Sequence, residues 1–460
     1  MRVSNIGIIE TKIKKLDEQF PVQDMLYQTG QIDQFSSGVY AYGHIPFLVK
    51  KNINNIIIDK LTKYGCSLIN LPILQPESIW IESGRLERYV NDDVMFRCIT
   101  NKGNYCLAPT AEEAVVKFAK NRLISYKNLP TTYFQIGEKF RNEIRTRGFL
   151  LRGKSFEMMD AYSFGRDKED LDIEYERIKE AYLEIFNELE LKVQPVGADS
   201  GTIGGAKSEE FMCLSDIGED NILYDSETGK LINSELLDRN DAVEYIRQTY
   251  GITNLNNLET KKACELGHIF QLGEKYSRSM GATYIDANGK PAYYNMGCYG
   301  IGVSRTLAMV YENSIVKNEK NEFSGISLPI NITPYTIYLI AKTDDNNKLM
   351  FANNLYQTLL NSGVSVLYDD RNYVSIGTKI KESKIVGLPY VAVLGKTIDG
   401  GYITIENNKT NEKTNVAIDD FIKYLQIFEH SRKEKITIEE IINGEVNKIN
   451  DLSNKNVKKK

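Results

Sequence analysis

The sequence predicts two folded units in tandem: an α+β domain whose antiparallel sheet is flanked by helices, then a small α/β domain. Three observations carry this expectation. Over roughly the first 330 residues strand-like runs are interrupted by helices without a regular strand–helix beat. From Thr333 onward strand and helix alternate at the spacing of a parallel α/β sheet. A chain of 460 residues also exceeds what a single hydrophobic core usually serves.

Within the first unit, Val49, Ile53, Ile56 and Leu61 recur at helical spacing over residues 46–64, and Gly65 follows as a stop. The run C-S-L-I-N-L-P-I-L (66–74) predicts a buried strand, with Pro72 marking a sheet edge or an interface. Residues 94–106 and 131–140 predict strands. Between them T-A-E-E-A-V-V-K-F-A-K predicts a helix capped by Thr110 or its neighbour, with Glu112 and Glu113 facing the positive end of the helix dipole. F-E-M-M-D-A-Y-S-F predicts a strand, and Asp167 opens a long helix with the apolar stripe Leu171, Tyr175, Ile178, Ile185 and Leu189. After L-Y-D (223–225), S-E-T-G-K predicts a turn and residues 238–250 a short helix. Strands return at G-H-I-F-Q-L-G (267–273) and A-Y-Y-N-M-G, followed by a helix from near Ile301.

In the second unit Y-T-I-Y-L-I-A, V-S-V-L-Y and P-Y-V-A-V-L-G predict strands. The stretches F-A-N-N-L-Y-Q-T-L-L-N-S-G and S-I-G-T-K-I-K-E-S-K-I-V-G are the intervening helices, each with a glycine stop. The expected sheet is mainly parallel. Residues 429–460 are polar and lysine-rich, with one weak helical pattern at I-E-E-I-I, and are expected to form a partly ordered tail.

Composition narrows the chemistry. With 42% hydrophobic and 26% charged residues the chain is an ordinary globular protein. No apolar run approaches the roughly 20 residues of a membrane span, and the N-terminus lacks a secretory apolar segment. A cytoplasmic location without membrane attachment is expected. Six cysteines lie scattered without a C-x-x-C pair, which argues against a disulfide framework and against zinc. With three histidines in all, chemistry falls to Arg, Glu, Thr and backbone groups. A net charge of −5 does not exclude a polyanionic partner, since binding follows the local field. T-K-I-K-E-S-K (378–384) and the terminal N-V-K-K-K are candidate basic patches.

The strongest chemical signal is F-R-N-E-I-R-T-R-G-F-L-L-R (140–152), which concentrates Arg141, Arg145, Arg147 and Arg152. If the preceding strand continues, alternation puts Arg141 and Glu143 on one face. That face offers a guanidinium fork to a phosphate and a carboxylate to an amine. Arginines followed by Phe156 suit a triphosphate with a stacked purine. A second signal is M-G-C-Y-G-I-G-V-S-R (296–305). Gly300 and Gly302 permit close backbone approach, and Arg305 projects from the first turn of a helix. Alone, F-R-x-E reads as an ion pair on a hairpin, and G-x-G is weak. Their combination is specific.

F-R-x-E with an arginine-bearing loop, then G-x-G-x-x-R late in the domain, resembles the signature motifs of class II aminoacyl-tRNA synthetases. L-I-N-L-P-I-L-Q-P-E-S-I-W-I-E-S-G-R, L-A-P-T-A-E-E, D-A-Y-S-F, G-T-I-G-G and G-H-I-F-Q-L-G-E-K-Y-S narrow the resemblance to the bacterial-type prolyl-tRNA synthetases, over residues 20–425. The resemblance implies ATP, as its Mg²⁺ complex, L-proline and tRNA(Pro) as substrates, with no zinc or organic cofactor. It implies a homodimer with Pro72 at the interface. Arg141 would contact the α-phosphate and the substrate carboxylate, with Glu143 beside it, while Arg152 and Arg305 would hold the outer phosphates. Phe156 would stack on adenine, Gln271 would face the nucleotide, and Gly300 and Gly302 would line it. Thr110 and Glu112 would receive the ammonium of proline in a pocket lined by His268 and Cys298. In the anticodon-binding domain, Asp370, Arg371, Lys379, Lys381 and Lys384 would contact tRNA.

On this resemblance residues 1–223 and 263–330 form the catalytic domain, residues 331–428 the anticodon-binding domain, and residues 429–460 the tail. Residues 224–262 stand where bacterial-type members carry a large editing insertion. About forty residues can hardly bury a core of their own, so hydrolysis of alanyl-tRNA in cis is not expected, and a separate trans-editing protein is an expected partner. Ala111, Lys154-Ser155, Gly165 and Glu209 depart from the family pattern without removing a needed arginine. They leave room for a paralogue that activates proline or another small amino acid without charging tRNA. A non-catalytic tRNA-binding protein would instead show a broken set of arginines.

Overall fold

The computed structural model describes residues 1–7, 13–146, 148–198, 207–238, 240–341 and 346–443. Arg147, G-T-I-G-G and the terminal lysines lie outside the described residues.

A nine-stranded sheet organises the first unit. Its centre is Leu258–Gly273, Asn295–Gly302, Ser155–Gly165 and Thr131–Phe140, each antiparallel to the next. Lys207–Leu214 and Asp220–Asp225 share the outer edge of Leu258–Gly273. The helices His44–Lys63, Lys168–Glu188 and Val303–Asn313 cover one face. Lys168–Glu188 forms as its pattern predicts: the Asp167 side chain accepts from the Asp170 N–H at its start, and the expected stripe is buried, with Tyr182 added. Each such side chain contributes about 1.5–3 kcal/mol on burial. Truncating Ile178 to alanine would cost about 2–5 kcal/mol.

Against the other flank lies a three-stranded sheet, Leu74–Pro76, Arg97–Thr100 and Gly103–Leu107. It packs with the helices Glu77–Ser83, Glu112–Lys120 and Lys275–Ser279 around Trp80, Val115 and Tyr276.

Several expectations are corrected. Residues 66–74 do not form one buried strand. Ser67–Leu68 joins the large sheet and Leu74–Pro76 the small one, with exposed Pro72 between them. Leu68, Ile73 and Leu74 are 51%, 42% and 50% exposed, because the segment crosses between two sheets. In the first long helix Ile57 is fully buried in the core, and the expected Ile56 packs against the same core half-buried. A-Y-Y-N-M-G divides at Tyr294 into Pro291–Tyr293 and Asn295–Gly302, and the helix after it begins at Val303. Leu258–Gly273 starts well before Gly267, so the interval after L-Y-D returns as an extension of the large sheet. Among its described residues Ile232, Ile246 and Ile252 form a small buried cluster with Leu223, and Leu231 joins a neighbouring one.

The second unit has a five-stranded sheet in the order Val366–Asp369, Ile337–Ala341, Tyr390–Leu394, Tyr402–Asn407, Lys413–Ala417. The first three strands are parallel, and the last two form an antiparallel hairpin that the expected, mainly parallel sheet did not include. Beyond residue 428, helix Ile418–Ser431 continues, and Ile438–Ile442 docks Ile438 and Ile441 on the same core under a Thr437/Glu440 capping box. Arg2 bridges to Tyr368 at the sheet's edge, so the N-terminal residues touch the second unit.

Candidate active site

On the sheet face away from helix Lys168–Glu188 lies a cavity of about 910 Å³, counting its open mouth. Strand alternation brings Met158, Asp160 and Tyr162 to this face, with Cys298 and Gly300 from the next strand and His268 and Phe270 from the one beyond. Arg141, Glu143, Arg152, Phe156, Thr110, Glu112, Gly302 and Arg305 complete the wall. Residues separated by up to 195 positions thus meet in one cleft.

One prediction about how they meet fails. The strand Thr131–Phe140 ends before Arg141, and residues 141–143 form a tight turn in which the Glu143 N–H donates to the Arg141 carbonyl, 2.8 Å. Both side chains reach the cavity from this turn. Arg141 is held by its Nε on the Pro109 carbonyl at 3.1 Å, with its guanidinium 5.2 Å from the Phe156 ring. Arg305 donates from Nε to the Leu151 carbonyl, 3.0 Å, and from Nη1 to Glu265 Oε2, 3.1 Å. Arg152 pairs with Glu219 at 3.2 Å.

The end of the cavity beside Glu112 is more deeply buried. Glu112 is fully buried, and its Oε2 accepts from the Thr110 hydroxyl at 2.7 Å and from Arg85 Nη1 at 3.1 Å. Its Oε1 accepts from the Cys298 thiol at 3.3 Å. Ala111, the Thr110 neighbour, is the helix N-cap, and no side chain caps it. The expected Thr110 cap is replaced by a hydroxyl that donates to a carboxylate. Burial pushes the Glu112 carboxyl up, but the Arg85 guanidinium and the Thr110 hydroxyl outweigh it and hold it below the ordinary value. Burial and the adjacent Glu112 charge push the Cys298 thiol well up, so it is a neutral donor.

A buried chain of bonds supports this end. Lys139 Nζ donates to Asp160 Oδ1 at 2.6 Å, the Tyr162 hydroxyl donates to Asp160 Oδ2 at 3.0 Å, and the Ala111 N–H donates to that hydroxyl at 3.2 Å. His268 stacks on Phe270, centroids 3.9 Å apart, with Nδ1 3.1 Å from Glu265 Oε1. Burial raises the Glu265 carboxyl, yet the His268 hydrogen bond and the Arg305 charge bring it down to about 2. Glu210, Glu265 and His268 each place one donor atom within 4.8 Å of the others.

Gln271 is not in the cavity. It points to the opposite sheet face, where its amide donates to Asp172 Oδ1 at 2.8 Å. Arg371 and Lys379 are also corrected. Arg371 is 4% exposed and grips Asp369 through Nε at 2.9 Å and Nη2 at 2.6 Å, with Glu382 also on Nη2. Lys379 is fully buried and donates to the Asp369 carbonyl at 3.1 Å. Both balance a buried carboxylate and are unavailable to a ligand. Lys384 reaches Asn411 at 2.5 Å, and Asp370 accepts from the Ser4 hydroxyl at 2.8 Å. Lys381 is exposed, as is Tyr373, at 75%.

Sequence reasoning missed Arg85, Asp160, Tyr162 and Glu265. Arg85 closes the motif S-G-R, but nothing in its spacing announces that it reaches Glu112. Asp160 and Tyr162 sat inside a predicted strand whose facing direction the pattern left open, and Glu265 lay just before the strand predicted at 267–273, which in fact begins at Leu258.

Comparison with known proteins identifies the family and the fold. Residues 96–314 match the tRNA synthetase class II core domain (G, H, P, S and T), and residues 336–427 match the anticodon binding domain. The proline–tRNA ligase of Ehrlichia canis (strain Jake) is 35% identical over 438 residues, covering 92% of this chain and 99% of the relative. That of Sulfurimonas denitrificans is 33% identical over 429 residues, covering 90% and 97%. The proline–tRNA ligase of Syntrophus aciditrophicus, 27% identical, aligns over 586 positions that cover 95% of this chain and all of the relative. That exceeds the 460 residues present here. In fold, the crystal structure of the Cryptosporidium parvum prolyl-tRNA synthetase complexed with L-proline and AMP superposes with a TM-score of 0.68 at 14% identity, covering 95% of this chain and 80% of that one.

Proposed function

Since the chain belongs to the proline–tRNA ligases, class II aminoacyl-tRNA synthetases that use ATP to join proline to tRNA, we propose that the cavity described above carries both chemical steps. The observation that supports this most directly is the meeting of Arg141, Arg152 and Arg305 with the buried Glu112 in one cleft.

In this reading Glu112 receives the secondary ammonium of proline, with Thr110 holding the carboxylate in place. Cys298, His268 and Phe270 wall the ring. Arg141 draws the substrate carboxylate and the α-phosphate together, and Arg152 and Arg305 exchange Glu219 and Glu265 for the outer phosphates. Phe156 offers a face to adenine, and Gly300 and Gly302 keep Cβ atoms out of the nucleotide's path. The proline carboxylate attacks the α-phosphorus and pyrophosphate leaves. A terminal ribose hydroxyl of tRNA then attacks the acyl carbon and AMP leaves. No bond to the enzyme forms. Rate enhancement comes from positioning and from guanidinium charge aimed at the developing negative oxygens. Magnesium accompanying ATP supplies further neutralisation, and the carboxylates of Glu265 and Glu210 are the hard oxygen donors beside the cavity that would hold it.

The second unit is read as the anticodon-binding domain, from residue 331, with Lys381 and exposed Tyr373 as its available tRNA contacts. The exposed Leu68, Ile73 and Leu74 around Pro72 are read as half of a homodimer interface. The small excursion over 224–262 is read as lacking an editing centre, with a trans-acting deacylase as partner, and the chain as cytoplasmic. Among the described residues no helix is long and apolar enough to cross a membrane.

The test is charging of a tRNA bearing a proline anticodon with labelled proline, beside the same tRNA with its anticodon changed. Anticodon-dependent charging supports both assignments. Pyrophosphate exchange without charging would point to the activating paralogue.

A further inference from the structure

Glu112 shares its buried cluster with a second carboxylate. The Glu113 side chain is also 0% exposed, and one guanidinium nitrogen, Arg85 Nη1, lies 3.1 Å from Glu112 Oε2 and 3.0 Å from Glu113 Oε1. Arg85 is 7% exposed and packs over the rings of Trp80, Tyr89 and Tyr276. The other groups facing Glu113 are neutral, apart from the Lys275 ammonium at the surface, whose pKa burial lowers and whose charge acts on both carboxylates. They are the Ser83 hydroxyl at 2.8 Å, the Cys106 thiol, the Tyr89 and Tyr276 phenols, and the exposed Lys275. Among the described residues Glu113 Oε2 has no hydrogen-bond partner. The buried charges therefore number one positive and two negative, and an uncompensated buried charge is strongly disfavoured.

We propose that Arg85 and Glu113 are positioning residues of the amino-acid subsite. Arg85 aims Glu112, and the leftover negative charge is balanced by the substrate ammonium when it is bound and by a proton on Glu113 when it is not. The inference rests on Glu112 as the receptor of that ammonium. Binding then converts the Glu113 carboxylic acid to carboxylate and releases its proton to solvent. Burial, reinforced by the Glu112 charge and only partly offset by Arg85, pushes the Glu113 carboxyl up to about 7. An arriving cation lowers it, so proline binds more tightly as pH rises through that value.

Trp80 is the only tryptophan in the chain and stacks against Arg85, so its fluorescence reads this cluster directly. Proline is titrated into the full chain without nucleotide from about pH 5.5 to 8.5. The dissociation constant is expected to fall by up to about tenfold per pH unit below pH 7 and to level above it. Glu113→Gln should bind about tenfold more weakly at pH 8 with a flat profile. Ser83→Ala, which removes a donor that holds the Glu113 carboxyl down, should move the midpoint to higher pH. A flat wild-type profile, an unchanged profile in Glu113→Gln, or an unmoved midpoint in Ser83→Ala overturns the proposal. If Glu113→Gln does not fold, Ser83→Ala decides. Glu112→Gln separates the two readings: undiminished proline affinity there overturns Glu112 as receptor. Lost affinity there, with unmoved profiles in the other two variants, overturns only the proton linkage.

Discussion

Arg305 Nε lies 3.0 Å from the carbonyl oxygen of Leu151, tying the first turn of helix Val303–Asn313 to the residue before Arg152. The two arginines assigned to the outer phosphates are thereby spaced by a backbone bond. Arg305→Ala removes both a cation and this tether. It is expected to lower proline-dependent pyrophosphate exchange by about 10²–10³-fold, with Arg305→Lys recovering little because a single ammonium cannot span the Leu151 carbonyl and the phosphate position as the two separated guanidinium nitrogens do. Exchange kinetics at saturating proline would check this. Near-wild-type turnover in Arg305→Ala removes Arg305 from the mechanism.

The stability of the protein should carry a signature of Glu113. Its folded value, about 7, lies above the ordinary carboxylate value. Its contribution is therefore complete below that ordinary value and is lost as pH rises through about 7. Glu113→Gln lacks this loss. Melting temperatures of variant and wild type should diverge in the variant's favour between about pH 5 and 7.5, and parallel curves would count against a buried proton there.

Arg371 and Lys381 should behave oppositely. Arg371→Ala takes the shared guanidinium from Asp369 and Glu382, leaving only Lys379 beside Asp369, and should destabilise the second unit by about 3–5 kcal/mol. Lys381→Ala touches no buried group and should leave the melting temperature unchanged while weakening tRNA binding and flattening its salt dependence. Denaturation and filter binding on the same two variants separate the roles.

The apolar strip around Pro72 predicts an interface. Replacing Leu74, 50% exposed on its strand, by Asp should dissociate a homodimer to monomers in sedimentation while the chain remains folded. A wild-type monomer at micromolar concentration ends the dimer reading.

Alanine fits any pocket that accepts proline, and two missing methylenes yield only about 1–3 kcal/mol each of discrimination. The purified chain should therefore form alanyl-tRNA and release it no faster than buffer does. Rapid deacylation by the chain alone would place a hydrolytic site somewhere in it.

Much of the fold was legible in the chain. The stripe from Leu171 to Leu189 and the Asp167 cap marked a helix because burial of one face is written every three or four residues. The regular beat after Thr333 announced the second unit for the same reason. The hairpin Tyr402–Asn407 and Lys413–Ala417 went unread because a short antiparallel addition leaves no such beat. Strand Thr131–Phe140 was visible, but its end was not, so Arg141 and Glu143 were placed on a strand face when a turn holds them.

By itself the sequence determined which groups the site has to work with: the arginines at 141, 152 and 305, the Thr110–Glu112 pair, and the glycines at 300 and 302. Residue type and local period suffice for that, because both depend on near neighbours. Only the tertiary structure decided which charges are free. Arg371 and Lys379 looked like ligands for RNA until their burial against Asp369 appeared. Gln271 looked like a nucleotide contact until the pleat turned it toward Asp172. Arg85 looked like the end of a motif until it was found between two carboxylates. A charge is available or spent according to its partner and its solvent exposure, and both depend on contacts between residues far apart in the chain.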